Sequence, residues 1–227
     1  MYGAALLAAG AALHAGAGRV YVALLGEAVF QVDPMQPELM MRGVHDLNIQ
    51  DQTIVAGCGG GTAISHHLDH LILNAKCLVL DADALNCIAT SVHLQTLLQK
   101  RKSGTTVMTP HPLEAGRLMA VSTADIQADR LTSAHRMAQR FQCTVVLKGS
   151  GSIVAAPEQT PRINPTGNAH LASAGTGDVL AGMIGAHMAA GESSFRAACR
   201  AVFDHGKLAN SWPSNQGLTA STLLAKL

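Results

Sequence analysis

In SAGTGDVLAGMIGAHMAAG, residues 173–191, small residues lead into an aspartate, Asp178. The apolar residues that follow (Val179, Leu180, Met183, Ile184, Met188) recur at helical spacing, so Asp178 stands in or just before the first turn of a helix. Gly175 and Gly177 clear side chains from the approach to that turn. Backbone N–H groups without an intrahelical acceptor and the positive end of the helix dipole together make an anion site. A carboxylate there is expected to be held ionised. It could take the proton of a substrate hydroxyl while the amides neutralise an incoming phosphate. The simpler reading is that Asp178 only caps the helix.

Four other short segments could contribute. KGSGS, Lys148–Ser152, sets a cation beside flexible amides and suits nucleotide phosphate or ribose, or a plain hairpin turn. It has no Walker spacing. AGCGGGT, 56–62, is either a turn or a place where backbone meets ligand, and it lacks a GxGxxG register. TPHP fixes His111 between two prolines, with Glu114 placed to cap or orient the next turn. In DADALN, alternate strand positions would aim Asp81 and Asp83 the same way, where they could hold Mg²⁺ through water. The competing reading makes one or both of them helix caps.

The elements that must position these groups follow from apolar runs. RVYVALL (19–25), TIVAG (53–57), KCLVLDAD (76–83), TTVMTP (105–110), TVVLKG (144–149) and SIVAAP (152–157) read as strands. Helical stretches are expected over 4–15, 62–74, 91–101, 113–119, 125–141 and onward from 178. Continuous rather than alternating apolarity implies strands covered on both faces. The βαβα order implies a mostly parallel sheet, and KGSGS adds an antiparallel hairpin near one edge. The polar endings of four strands would then gather on one rim, where α/β sheets bind ligands. No linker or repeat divides the chain, so residues 1–227 are read as one domain.

Composition narrows the function. The chain is 48% hydrophobic and 14% charged, which rules out a solvating, disordered polypeptide. A net charge of +1 from scattered basic residues, with 3% aromatics, offers neither the field nor the stacking platforms of a nucleic-acid binder. The apolar start lacks a basic n-region and is broken by glycines and His14, so neither a signal peptide nor a membrane span is expected. Five cysteines without a CxxC read as reduced thiols of a cytoplasmic protein. Low charge also makes self-association expected, as a homo-oligomer up to a tetramer.

Together VLDADALN, TPHPLE, VLKGSGS and NPTGNAHLASAGTGDVLAG resemble, in order and spacing, the ADP/ATP-dependent NAD(P)H-hydrate dehydratases. The resemblance spans nearly the whole chain. It implies a ribokinase-like three-layer α/β/α sandwich and repair of hydrated NADH or NADPH, using phosphate from ADP or ATP with Mg²⁺. It implies Asp178 as the base at the substrate hydroxyl and Gly177 at the nucleotide phosphate. Lys148, Gly149, Ser150, Gly151 and Ser152 would line the adenine nucleotide, and Ala4, Gly61 and His111 would touch the hydrated dinucleotide. An epimerase is implied elsewhere, as a partner or fused domain. The chain departs from the family at Leu113, where glycine is usual, and at His170 and Leu171, where a Gly-Met pair is usual. The family also begins with a strand and a Gly-rich loop ahead of GAALLAA, so an N-terminally truncated domain is expected. The alternatives are a ribokinase-type small-molecule kinase and a non-catalytic nucleotide-binding module.

Overall fold

The computed structural model describes residues 1–26 and 31–227. The chain starts on helix α1 (Tyr2–His14) and passes through two short strands, β1 (Tyr21–Val22) and β2 (Met40–Met41). It then enters the main alternation: β3 (Thr53–Ala56), α2 (Ser65–Asn74), β4 (Cys77–Leu80), α3 (Ala82–Thr90), α4 (Val92–Gln99), β5 (Thr106–Met108) and α5 (Pro112–Met119). Next come α6 (Thr123–Ala128), α7 (Arg130–Phe141), β6 (Thr144–Leu147), β7 (Ile153–Ala156) and β8 (Gln159–Ile163). Three helices close the chain: α8 (Thr176–Ala189), α9 (Ser194–Asn210) and α10 (Ala220–Leu224).

Strands β3 to β8 form one sheet in sequence order, parallel from β3 to β6 and antiparallel from β6 to β8. The apolar runs explain its burial. Leu78, Leu80, Met108, Val145 and Leu147 point into a core with Leu68, Leu85, Leu118, Met137 and Phe141, from α2 to α7. Their neighbours Val79, Val107 and Val146 point the other way, onto α1, α8, α9 and α10 through Ala8, Val179, Ile184, Ala201 and Leu223. Strands β4, β5 and β6 therefore each serve two cores, as period-two geometry requires, and the three-layer α/β/α expectation holds. Helix α1 lies backbone-close on α8, because a Cβ at Gly182 would fall 2.0 Å from the Ala8 carbonyl oxygen.

Three expectations need correction. Of RVYVALL only Tyr21–Val22 pairs, and its partner is Met40–Met41 in a separate two-stranded parallel sheet. The segment is apolar, but its pairing partner is a non-local one that no spacing rule reveals. The expected antiparallel hairpin near one edge forms from β6 and β7, and β8, a strand of exposed, polar QTPRI, lies outside it. The strand at 76–83 ends at Leu80, and Asp81 is the residue from which α3 departs, so Asp81 and Asp83 do not alternate along a strand. The expected 125–141 helix is two helices, each with its own capped start at Ser122 and Asp129. Among the described residues no helix is long and apolar enough to cross a membrane, and the five cysteines are free.

Candidate active site

The turns that follow β3, β4, β5 and β6 are stitched together at the carboxyl ends of the strands. Asp81 N–H donates to Ala56 O at 3.0 Å, and Asp83 N–H donates to Gly57 O at 3.3 Å. Gly57 has φ +109°, and a Cβ on it would sit 1.9 Å from Asp81 O, so only glycine lets these two turns touch. Gly61 N–H donates to Asp83 Oδ2 at 2.7 Å. Thr109 N–H reaches Leu80 O at 3.0 Å, and Lys148 N–H reaches Pro110 O at 2.9 Å. The four polar strand endings are thus one rim.

Across that rim Lys148 Nζ donates to Asp81 Oδ1 at 2.7 Å, with Asp81 2% exposed. Burial alone would lower the lysine pKa, but the Asp81 carboxylate, then that of Glu114, pull it upward. Lys148 is therefore a fixed cation. It faces the first turn of α8, where a Cβ on Gly177 would lie 3.4 Å from Nζ. Helix α8 starts at Gly175, with φ +87°, and its first intrahelical bond runs from Val179 N–H to Gly175 O. The preceding amides of Gly177 and Asp178 have no acceptor within the helix, which is what an anion cradle requires.

Asp178 stands in that first turn. A ligand atom from each of Cys58, Asp81 and Asp178 lies within 4.8 Å of the other two. The Asp178 carboxyl is pushed up to about 6: burial is the main cause, with Asp81 and Asp83 adding to it, against a Cys58 hydrogen bond and the Lys148 charge. The helix dipole was expected to favour the ionised form of this group, and desolvation beside two other carboxylates works against it. A carboxylate that titrates near neutrality is suited to accept a proton. Cys58 is itself buried, and burial followed by Asp81 and Asp178 drives its thiol upward.

The remaining site residues predicted from sequence fall around this centre. His111 caps α5, its Nδ1 accepting from Leu113 N–H at 3.2 Å and Glu114 N–H at 3.4 Å. Glu114 closes the box by accepting from His111 N–H at 2.8 Å, so the orienting role read for Glu114 is what the structure shows. Nδ1 as acceptor leaves the Nε2–H of neutral His111 as its donor. Ala4 packs under the glycine turn, 3.1 Å from where a Gly59 Cβ would lie. In KGSGS, Ser152 Oγ donates to Gly149 O at 3.1 Å, and Gly149 and Gly151 both have positive φ. Leu113 is 47% exposed at the foot of α5, while the Leu171 carbonyl accepts from Thr176 Oγ1 at 2.8 Å, bracing the start of α8. His170 lies in a 3₁₀ turn, its N–H bonded to Asn168 Oδ1 at 3.0 Å.

Two supports escaped the sequence reading. Arg130, the first residue of α7, donates to the carbonyls of Ser150, Leu147 and Lys148, and so ties down the KGSGS loop. His205 of α9 is buried, and its Nε2 lies 2.9 Å from Thr176 O. Burial holds its pKa down to about 4, so the ring is neutral and Nε2–H donates to the first turn of α8. Neither residue lies in a motif; only the fold brings them near.

A mostly parallel α/β sheet with free helix-start amides, a lysine and a carboxylate raised to about 6 on one rim is a ribokinase-like arrangement. The chain belongs to the NAD(P)H-hydrate dehydratase family, whose sequence pattern matches residues 1–227. It is 37% identical over 240 residues to the ADP-dependent (S)-NAD(P)H-hydrate dehydratase of Neisseria meningitidis, covering 100% of this chain and 78% of that one. It is 37% identical over 238 residues to the bifunctional NAD(P)H-hydrate repair enzyme of Escherichia coli, covering 99% of this chain but only 44% of the relative. The Bacillus subtilis ADP/ATP-dependent NAD(P)H-hydrate dehydratase, crystallised with ATP/Mg²⁺, superposes with a TM-score of 0.82 at 28% identity, covering 100% of this chain and 84% of that structure.

Proposed function

We propose that this chain dehydrates hydrated NADH or NADPH, with ADP as phosphate donor. The observation that carries this reading is Asp178: an anion cradle alone would serve any phosphate ligand, but a carboxylate near 6 at its edge serves proton removal from a hydroxyl. Asp178 takes the proton of the hydrate hydroxyl, whose oxygen attacks the terminal phosphorus of the nucleotide. The amides of Gly177 and Asp178 and the Lys148 ammonium stabilise the charge that builds on the transferring phosphoryl group. The phosphorylated oxygen then leaves as phosphate, the ring loses a proton, and the nicotinamide double bond is restored. The KGSGS loop, Lys148–Ser152, holds the nucleotide, and Ala4, Gly61 and His111 contact the dinucleotide. Mg²⁺ would arrive on the nucleotide phosphates and neutralise them. Asp81 keeps one oxygen on Lys148 and Asp83 one on the Gly61 amide, so they would meet the ion through water with the other oxygen.

An epimerase supplying the S form belongs with this activity, in a partner or another domain, and a cytoplasmic, homo-oligomeric enzyme fits the reading. The test is recovery of nicotinamide absorbance when the protein is mixed with hydrated NADH and ADP. Stable phosphorylation of an alcohol, with no recovery, would instead show a small-molecule kinase.

A further inference from the structure

We propose that Cys58, Asp81 and Asp178 form a binding site for a thiophilic divalent cation, of the zinc and cadmium type, whose occupancy blocks the enzyme. Among the described residues no other set of three such donors comes so close together: one sulfur and two carboxylate oxygens within 4.8 Å. Cys58 is 8% exposed and Asp81 2% exposed, so two of the three donors are withdrawn from water and held in place. Their backbones are fixed too. Asp81 N–H is bonded to Ala56 O, two residues before Cys58, and Asp178 is held by the first turn of α8.

The charge balance favours a cation. Asp81, Asp83 and Asp178 face the cluster together with the Cys58 thiol, and Lys148 is the cation that opposes them. Lys148 occupies one oxygen of Asp81, which leaves the second oxygen for a metal. Burial is the main reason that Cys58 and Asp178 both carry raised pKa values, with Asp81 adding to each. Binding would displace the thiol proton of Cys58, so affinity rises with pH.

The donor set selects the metal. Two oxygens and a thiolate make a three-ligand site with an open fourth position, the arrangement zinc accepts. Magnesium prefers six oxygen ligands and does not take thiolate. The inhibitory part of the proposal rests on Asp178 being the base, because a metal-bound carboxylate cannot accept a proton.

Cadmium titration of the whole protein provides the test, read by the thiolate-to-cadmium charge-transfer band in the ultraviolet. We expect a band saturating at one cadmium per chain, insensitive to excess Mg²⁺, absent from Cys58→Ser and at least about ten-fold weaker in affinity in Asp178→Asn. Circular dichroism confirms that each variant is folded. A band of unchanged size in Cys58→Ser, or no band in the parent protein, overturns the site. Zinc is then added to the dehydration assay, where we expect inhibition reversed by a chelator. A cadmium band at Cys58 without zinc inhibition would keep the site and remove Asp178 from its role as base. Absence of dehydration altogether would defeat the reading of function while leaving the cadmium result to decide the site.

Discussion

Asp81 and Asp178 share one rim and have different fates. Asp81 is buried with an ammonium 2.7 Å from its carboxylate. Asp178 has a thiol as its hydrogen-bond partner, and burial lifts it to about 6. The difference shows how one rim can hold two carboxylates in different settings: an ammonium bonds the first directly, whereas burial beside a thiol lifts the second into the range where it can exchange a proton. The two are linked, since Asp81 raises the pKa of Asp178 and Lys148 lowers it.

The largest effect should come from the reactive partner. Asp178→Asn keeps the shape of the turn and removes the proton acceptor, so turnover should fall by about 10²–10⁴-fold, with ADP affinity retained. Parallel turnover and calorimetric titration measure both, and a variant with near-normal turnover would show that Asp178 is only a cap. In the parent protein kcat/KM should rise with pH through about 6, as Asp178 loses its proton.

The structural partner should break differently. Lys148→Met strands Asp81 as a buried, unpaired carboxylate, at a cost of about 3–5 kcal/mol in urea unfolding. Adding Asp81→Asn neutralises the stranded group and should recover most of that loss. If the double variant is as unstable as the single one, Lys148 contributes packing rather than charge pairing.

A smaller effect isolates the loop from the pair. Arg130→Met releases the carbonyls of Ser150, Leu147 and Lys148 but leaves Lys148 and Asp178 in place. Loss of about 1.4 kcal/mol of loop order would weaken ADP binding about ten-fold. We expect that in KM for ADP, with kcat at saturation little changed; a fall in kcat with constant KM would place Arg130 in the chemistry.

The asymmetry between these residues also explains what the sequence could reveal. The inner strands were legible, because CLVL and TVVL are apolar runs with both faces buried and polar endings. QTPRI was not, since an exposed edge strand has no hydrophobic pattern, and its Pro161 reads as a break. The helix after Asp81 was read only as the alternative to a longer strand, because the apolar run of β4 leads directly into it. Asp178 and Lys148 stood out by local context, as a carboxylate at a helix start and a cation in a glycine loop. Their partners did not: Lys148 meets Asp81 across 67 residues, and the positions of Cys58, Arg130 and His205 follow from sheet order. Local chemistry is written locally, whereas the pairing that decides each charge is set by the fold.

The last effect is the most direct measure of that setting, because it reads Asp178 without any substrate. In the unfolded chain an aspartate titrates near pH 3.9, roughly, and in the folded protein this one titrates at about 6. Between those values the folded state holds a proton that the unfolded state has lost, so stability falls as pH rises through the window. Above pH 6 the penalty is complete and constant. Asp178→Asn carries no charge to desolvate, so it should melt at the same temperature as the parent below pH 4. Its advantage should grow between pH 4 and 6 and level off above, at roughly 2–4 °C for each kcal/mol of relief in a chain of this length. A constant difference across pH 4 to 7 would mean that Asp178 ionises as an ordinary carboxylate, and the contrast with Asp81 would lose its basis.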